Sequence, residues 1–347
     1  EDGQTVTITL NGATYTNTVS SDATTVTITA AALQALTDGQ SYTLTADVSD
    51  AAGNAAAQVT SSSFAVDTTI PVVTSVTSST SDGSYKADDV ISLVVFFSED
   101  VSVDTTAGTP TLTLNTGGGG ASVNYSSGSG TSALMFTYTV SAGQNSSDLD
   151  YSASNSLALN SATIKDSAGN DATLTLPSPS EAASLSFNKD IVIDTTSPTM
   201  TITSSTSGVS DGSTTKDATI SLTFTSSEAT TNFTDADITV INGAISGFNP
   251  ASSTTYTATF TPTTDGATTV DVAGNVFTDA VGNNNTAATQ FNWTYDSTPP
   301  IISAIGTGAF SWGAVLNATE DNSNGTVSVT TSGAEDGQTV TITLNGA

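Results

Sequence analysis

Residues 5–12 read Thr5-Val6-Thr7-Ile8-Thr9-Leu10-Asn11-Gly12. Val6, Ile8 and Leu10 alternate with threonines, so an extended backbone puts the aliphatics on one face and the hydroxyls on the other. Threonine is β-branched and suits a pleated strand without adding much apolar surface. Asn-Gly accepts the left-handed dihedrals of a two-residue hairpin turn. The stretch is predicted as a half-buried antiparallel strand running into a tight turn. The same alternation recurs at 25–28, 91–94, 134–140, 220–224 and 256–260, and Asn242-Gly243 is a second candidate hairpin turn. Helical periodicity is almost absent; 30–36 suits one short turn. The expected fold class is all-β.

Residues 335–347 repeat residues 1–13 letter for letter, 334 positions downstream. Such a copy marks a tandem array. Three related joints punctuate the chain: Val66-Asp67-Thr68-Thr69-Ile70-Pro71, Ile193-Asp194-Thr195-Thr196-Ser197-Pro198 and Tyr295-Asp296-Ser297-Thr298-Pro299-Pro300. Each follows a predicted strand, and its proline restricts the backbone and extends the residue before it. The joints outline one domain over 71–197, a long variant, and one over 198–298. A third is split, with 299–334 as its first part and the sequence of 1–70 as its continuation. About 100 residues with many short strands suit an immunoglobulin-like β-sandwich. The expected architecture is tandem Ig-like β-sandwich domains in a linear array. Both chain ends fall inside the split domain, so the phase of the repeat in this chain is expected to be arbitrary. The competing expectation is a subunit whose split sandwich is completed by a neighbour, with the duplicated strand competing against itself.

Composition narrows function. The chain has 347 residues, Lys+Arg 4 against Asp+Glu 33 and a net charge of −29, with no histidine, cysteine or arginine. The usual neutral-pH general base and every thiolate chemistry are therefore absent. Four lysines cannot line a nucleic-acid groove. No stretch approaches the ~20 apolar residues of a membrane-spanning helix. No nucleic-acid partner and no membrane insertion are expected for this segment.

The acidic residues are patterned. An Asp-x-x-Gly-Asn loop precedes the last strand of each domain, at Asp50–Asn54, Asp166–Asn170 and Asp279–Asn283. An acidic residue also follows the first long strand of each: Glu99-Asp100, Glu228 and Glu320-Asp321. In a seven-strand sandwich the second and sixth strands return to the end where the chain enters. The Glu, the Asp-x-x-Gly-Asn loop and the aspartate of the preceding joint should meet there. Clustered carboxylates repel. A hard cation taking six to eight oxygens at ~2.3–2.6 Å resolves the conflict, and calcium suits this better than magnesium. The predicted ligand sets are Asp67, Glu99, Asp166 and Asn170, with Asp100 in reserve; Asp194, Glu228, Asp279 and Asn283; and Asp296 with Glu320, joined by the next repeat's Asp50 and Asn54. A single Asp-x-x-Gly-Asn is an ordinary turn; three in phase with three joints and three glutamates point to calcium. Asp148 and Asp150 alternate along a predicted strand and read as a solvated edge.

These residues resemble bacterial immunoglobulin-like tandem repeats of giant calcium-dependent adhesins and biofilm-associated surface proteins. The split domain is similar through Val315–Glu320, the Glu-Asp-Gly-Gln-Thr-Val run, Leu36–Tyr42 and Asp50–Asn54. The 71–197 domain is similar through Asp82–Lys86, Phe97-Ser98-Glu99, Asp148–Tyr151 and Ile164–Asn170, and the 198–298 domain through Ser227-Glu228 and Asp279–Asn283. The resemblance implies an extracellular or cell-surface extender, exported from a bacterium and stiffened by calcium, that holds a distal binding domain away from the cell. Nothing in the chain resembles the binding tip.

Other functions fit less well. Carboxylates at periodic joints do not form an enzyme cleft, so no enzyme is expected. A carbohydrate-binding module would need an exposed aromatic platform, and Trp293 in Phe-Asn-Trp-Thr-Tyr reads as core. A self-assembling extracellular filament or sheath remains the alternative, because a repeated cassette repeats its lateral or helical contacts.

Overall fold

The computed structural model describes residues 2–117, 119–305, 310–316, 319 and 324–344. The chain divides into two compact units, Glu1–Thr195 and Thr196–Ala347.

The second unit contains a two-sheet sandwich. One sheet runs Met200–Ser204, Ile220–Ser226, Thr255–Pro262, Gly243–Pro250; the other runs Thr214–Thr215, Phe291–Tyr295, Gly266–Val272, Ile238–Ile241. Pairing is antiparallel except for Thr214–Thr215 beside Phe291–Tyr295. Ile220, Leu222, Phe224, Tyr256, Phe260, Val270, Val272 and Trp293 point inward into one buried cluster. Alternation in the sequence therefore became a core, as a period of two requires.

Asn242-Gly243 is not a hairpin. The strands on either side lie in different sheets, so the dipeptide is a corner between them. Asn242 is left-handed at φ 58 and its amide brackets Thr264, accepting from the Thr264 N–H and donating to its carbonyl. Gly243 is needed for space: a Cβ there would lie 2.2 Å from the Phe260 ring. Asn11-Gly12 does close a hairpin, between Thr5–Leu10 and Ala13–Thr18.

In the first unit, residues 71–195 build around strand Val90–Asp104. Its first part pairs with Thr131–Thr139 and Val73–Ser78, and its last three residues pair with Thr163–Lys165. The sheet continues through Ala121–Ser127 and Thr111–Leu114 to Leu157–Ala158, and Ile191–Ile193 runs parallel to Gly83–Tyr85. Ile91, Leu93, Val95, Leu112, Leu134, Phe136 and Tyr151 share the core. Glu99 and Asp100 accordingly lie within a 15-residue strand, where it changes partners, and not beyond its end.

Residues 148–150 form no strand, and Asp150 is buried instead of solvated. Its carboxylate accepts from the Ser180 N–H at 2.9 Å and the Ser186 hydroxyl at 2.7 Å, which pins the 180–186 loop. Residues 1–70 form a four-stranded sheet ordered Ala13–Thr18, Thr5–Leu10, Leu44–Asp47, Val59–Thr60, with a short helix Ala30–Gln34 capped by the Thr29 hydroxyl. The expected strand at 25–28 is not formed. Ile301–Ala304 pairs with Thr330–Ser332 as a two-stranded ribbon.

Candidate metal centre

Strand pairing assembles the first acidic cluster. Ser102 lies opposite Lys165 in the antiparallel ladder, so Glu99, three residues upstream, comes beside Asp166, one residue beyond Lys165. The joint is laid against both. The Ser98 N–H donates to the Val72 carbonyl and the Thr173 N–H to the Pro71 carbonyl. Ser98 Oγ in turn accepts from the Val72 N–H at 3.1 Å. Asp67, Glu99 and Asp166 thereby bring carboxylate oxygens within 4.8 Å of one another. They come from three sequence-distant segments, as the strand-direction argument required.

The Asp166 loop is a turn locked from inside. Asp166 Oδ1 accepts from the backbone N–H groups of Ala168, Gly169 and Asn170 at 2.7–2.9 Å, and Oδ2 accepts from the Asn170 amide at 2.7 Å. Gly169 stands at φ 98, which a side chain would strain. Asn170 also donates to the Asp67 and Thr69 carbonyls, tying loop to joint. Burial works against the Asp166 charge, but the bonds from Asn170, Gly169 and Ala168 outweigh it and hold the carboxyl below its ordinary range.

Glu99 has the opposite environment. Burial, then the charges of Asp67, Asp166 and Asp38, push its carboxyl above the ordinary range. Its Oε1 is buried without a hydrogen-bond partner among the described residues. A buried carboxylate oxygen lacking a donor, facing two other carboxylates, is relieved by a cation or by a proton. Asp100 is exposed and outside the cluster.

The second unit repeats the construction. Thr199 and Ser227 exchange bonds as Val72 and Ser98 do, and the Thr286 N–H donates to the Pro198 carbonyl. Asp279 Oδ1 accepts from Val281, Gly282 and Asn283, and its Oδ2 accepts from the Asn283 amide. Glu228 and Asp279 bring carboxylate oxygens within 4.8 Å. Asp194 closes the first unit, its N–H donating to the Tyr85 carbonyl at 2.9 Å. Asp296 is held the same way by Thr215 and accepts from the Thr298 N–H. Asp50 and Asn54 form the same turn, with the Asn54 N–H and amide both donating to Asp50. Glu320 lies outside the described residues.

Sequence reasoning missed a second aspartate at the joints. Asp38 accepts from the N–H and hydroxyl of Thr68 and the hydroxyl of Thr69. Asp265 takes the matching bonds from Ser297 and Thr298. The signal was present as Thr37-Asp38-Gly39 and Thr264-Asp265-Gly266. Asp38 also lines a cleft of about 470 Å³ with Asp67 and Glu99.

The carboxyl of Asp265 is lowered chiefly by the Thr298 hydroxyl and then by Ser297; that of Asp38 is lowered chiefly by the Thr68 N–H and then by the Thr69 hydroxyl. A depressed carboxyl contributes stability above its unfolded pKa and loses it as pH falls through the folded one. The amide resonances of Ser297 and Thr68 should therefore titrate with midpoints below the ordinary aspartate value of about 3.9. Asp265→Ala should abolish the titration at Ser297 and leave it at Thr68. Midpoints at or above the ordinary value would show that the clamps are not formed.

Two of the large aromatic residues are turned into the cores. Trp293 is 2% exposed against Phe260, and Tyr151 is buried with its hydroxyl donating to the Pro177 carbonyl. Among the described residues no helix is long and apolar enough to cross a membrane.

Residues 194–295 match the family described as the bacterial Ig-like domain. No curated protein is significantly similar to the chain. Among solved structures, a 1.5-MDa bacterial ice-binding adhesin is similar at 19% identity over 84% of this chain and 85% of that one, with a TM-score of 0.39. A Ca2+-stabilized adhesin that helps an Antarctic bacterium bind ice is 21% identical over 85% of this chain and 65% of that one, TM-score 0.41. Invasin, a bacterial integrin-binding protein, is 15% identical over 88% and 55%, TM-score 0.28. Residues 194–295 are thus similar to the bacterial Ig-like domain, within a chain of tandem β-sandwiches.

Proposed function

We propose that this chain is an extender segment of a bacterial surface or secreted repeat protein, in which calcium at the joints fixes one sandwich against the next and supports adhesion or biofilm formation. The observation that carries this reading is the Asp67–Glu99–Asp166 cluster, with its buried, donorless Glu99 oxygen. Carboxylates from a joint, a strand and a loop offer a hard cation its preferred ligands, and Asp67, Glu99 and Asp166 would hold it. A bound ion would cross-link the joint to the domain that follows it. The sequence pattern extends the proposal to Asp194, Glu228, Asp279 and Asn283, and to Asp296 and Glu320 with the Asp50 and Asn54 of the following repeat. The work is mechanical rather than catalytic: acidic groups recur at joints, and the chain has neither histidine nor cysteine.

Small-angle scattering of the full chain, with millimolar calcium and then with a chelator, tests this. The maximum dimension should fall and the flexibility rise on chelation, because each emptied joint regains bending freedom. Identical profiles in both conditions would remove calcium from the mechanism.

A further inference from the structure

Ser-Asp-Gly-Ser occurs at 81–84 and again at 210–213, and neither copy belongs to an acidic cluster at a joint. In each complete sandwich the motif leads into a short strand that runs parallel to the last one. Gly83–Tyr85 lies beside Ile191–Ile193, and Thr214–Thr215 lies beside Phe291–Tyr295. The motif closes one end of each pair. Asp82 Oδ1 accepts from the Asp190 N–H at 3.2 Å, and the Gly83 N–H donates to the Asp190 carbonyl at 3.0 Å. Asp211 Oδ1 accepts from the Asn292 N–H at 2.8 Å, and the Gly212 N–H donates to the Asn292 carbonyl at 2.7 Å. The other end is closed by the Asp194 N–H on the Tyr85 carbonyl and the Asp296 N–H on the Thr215 carbonyl. Asp82 also receives the Lys189 ammonium at 3.1 Å.

The direction of these pairs decides how a sandwich meets a pull along the chain. Tension draws the entry strand back toward its N-terminus and the exit strand on toward its C-terminus. In a parallel pair the two pulls slide one strand past the other, so every bond between them is strained at once. Antiparallel entry and exit strands would be pulled from the same end and would open bond by bond. Sliding is also opposed by the cores. Ile191 and Ile193 are 0% and 2% exposed, and Phe291 and Trp293 are 5% and 2% exposed, so neither exit strand can move without dragging large side chains out of close packing. Asp82 and Asp211 stand at the end where tension enters each pair. Their bonds have an ionised acceptor and are stronger than neutral ones.

We infer that the two Ser-Asp-Gly-Ser motifs latch shear clamps, through which each complete sandwich holds tension between its entry and its exit. Asp82 and Asp211 are the positioning residues of these clamps. The inference rests on the extender reading for the source of the tension, and it is independent of calcium.

The test holds the full chain by its two ends under constant tension, with a chelator present so that the metal plays no part. The two sandwiches release lengths that differ by about 9 nm at ~3.5 Å per extended residue, which tells their unfolding steps apart. Asp82→Ala should shorten the lifetime of the 71–197 step about tenfold, the loss of one hydrogen bond to a charged acceptor, and leave the 198–298 step unchanged. Asp211→Ala should do the reverse. Asp82→Asn keeps an acceptor oxygen without its charge and should fall between alanine and wild type. Unfolding in denaturant, where nothing pulls on the ends, should quicken by a smaller factor than unfolding under tension. Wild-type lifetimes in both Asp82 variants would overturn the inference. So would equal factors with and without tension, which would make Asp82 a turn residue only. Either result would leave the calcium joints standing, just as scattering profiles indifferent to calcium would leave the clamps.

Discussion

Millimolar calcium should raise the melting temperature of the 71–197 domain by roughly 10 °C, and Glu99→Gln should remove most of that rise. A ligand bound only to the folded state stabilises it by about 2.7 kcal/mol at one hundred times its dissociation constant. For a domain of this size that free energy corresponds to several degrees per kcal/mol. Glu99→Gln keeps the side chain's shape and removes one anionic ligand. Its effect should reverse in chelator. There the wild-type protein confines a partly buried carboxylate against Asp67 and Asp166, and burial first, then those neighbouring charges, push the Glu99 carboxyl above its ordinary range. The neutral amide avoids both costs, so the variant should melt at or above wild type without calcium and below it with calcium. A merely structural glutamate would not produce this crossing of sign. Scanning calorimetry in the two buffers decides it; parallel curves would reduce the Asp-x-x-Gly-Asn loops to ordinary turns.

Phe260→Ala should destabilise the 198–298 sandwich by about 3–5 kcal/mol, the usual cost of emptying a large aromatic site in a packed core. Phe260 is 0% exposed and meets Trp293 edge-on at 4.7 Å and 75°. It also fills the space above Gly243, at the corner where the chain changes sheets. Collapse into the cavity is hindered because that corner is pinned to Thr264 through Asn242. Denaturant unfolding followed by Trp293 fluorescence should show the full loss. A second probe in the 71–197 core, such as exchange at Leu93 and Phe136, should stay at its wild-type value, since distant sites with no shared partners are energetically independent. A joint decline at both sites would mean the cores unfold as one.

Much of this was legible before any coordinates. Alternation marked Thr5–Leu10, Ile220–Ser226 and Thr255–Pro262 because a half-buried strand cannot hide its period. The joints were legible because proline and aspartate recur there in phase. Strand direction led to the expectation that Asp67, Glu99 and Asp166 meet, but Glu99 reaches Asp166 from inside a strand that has switched to pairing with Thr163–Lys165, not from a loop beyond its end. Burial was harder to foresee. Asp150 looked like a solvated edge, but its charge is turned inward to hold Ser180 and Ser186. Asp38 and Asp265 were not singled out by any local pattern, because their partners lie some thirty positions away. Asn242-Gly243 has hairpin letters, and only the assignment of its flanking strands to separate sheets makes it a corner.

The duplicated sequence separates the two kinds of information. By itself the sequence determined the all-β class, the tandem repeat and the acidic residues that face one another, since periodicity, identity and charge are local properties. Tertiary structure decided whether a given strand exists. Thr5–Leu10 is a strand and residues 339–344, letter for letter the same, are not. Leu10 is 2% exposed and its counterpart Leu344 is 77% exposed. The difference is the company each keeps: Ala13–Thr18 and Leu44–Asp47 flank the first copy and supply the hydrogen bonds and apolar cover that a lone strand cannot provide for itself.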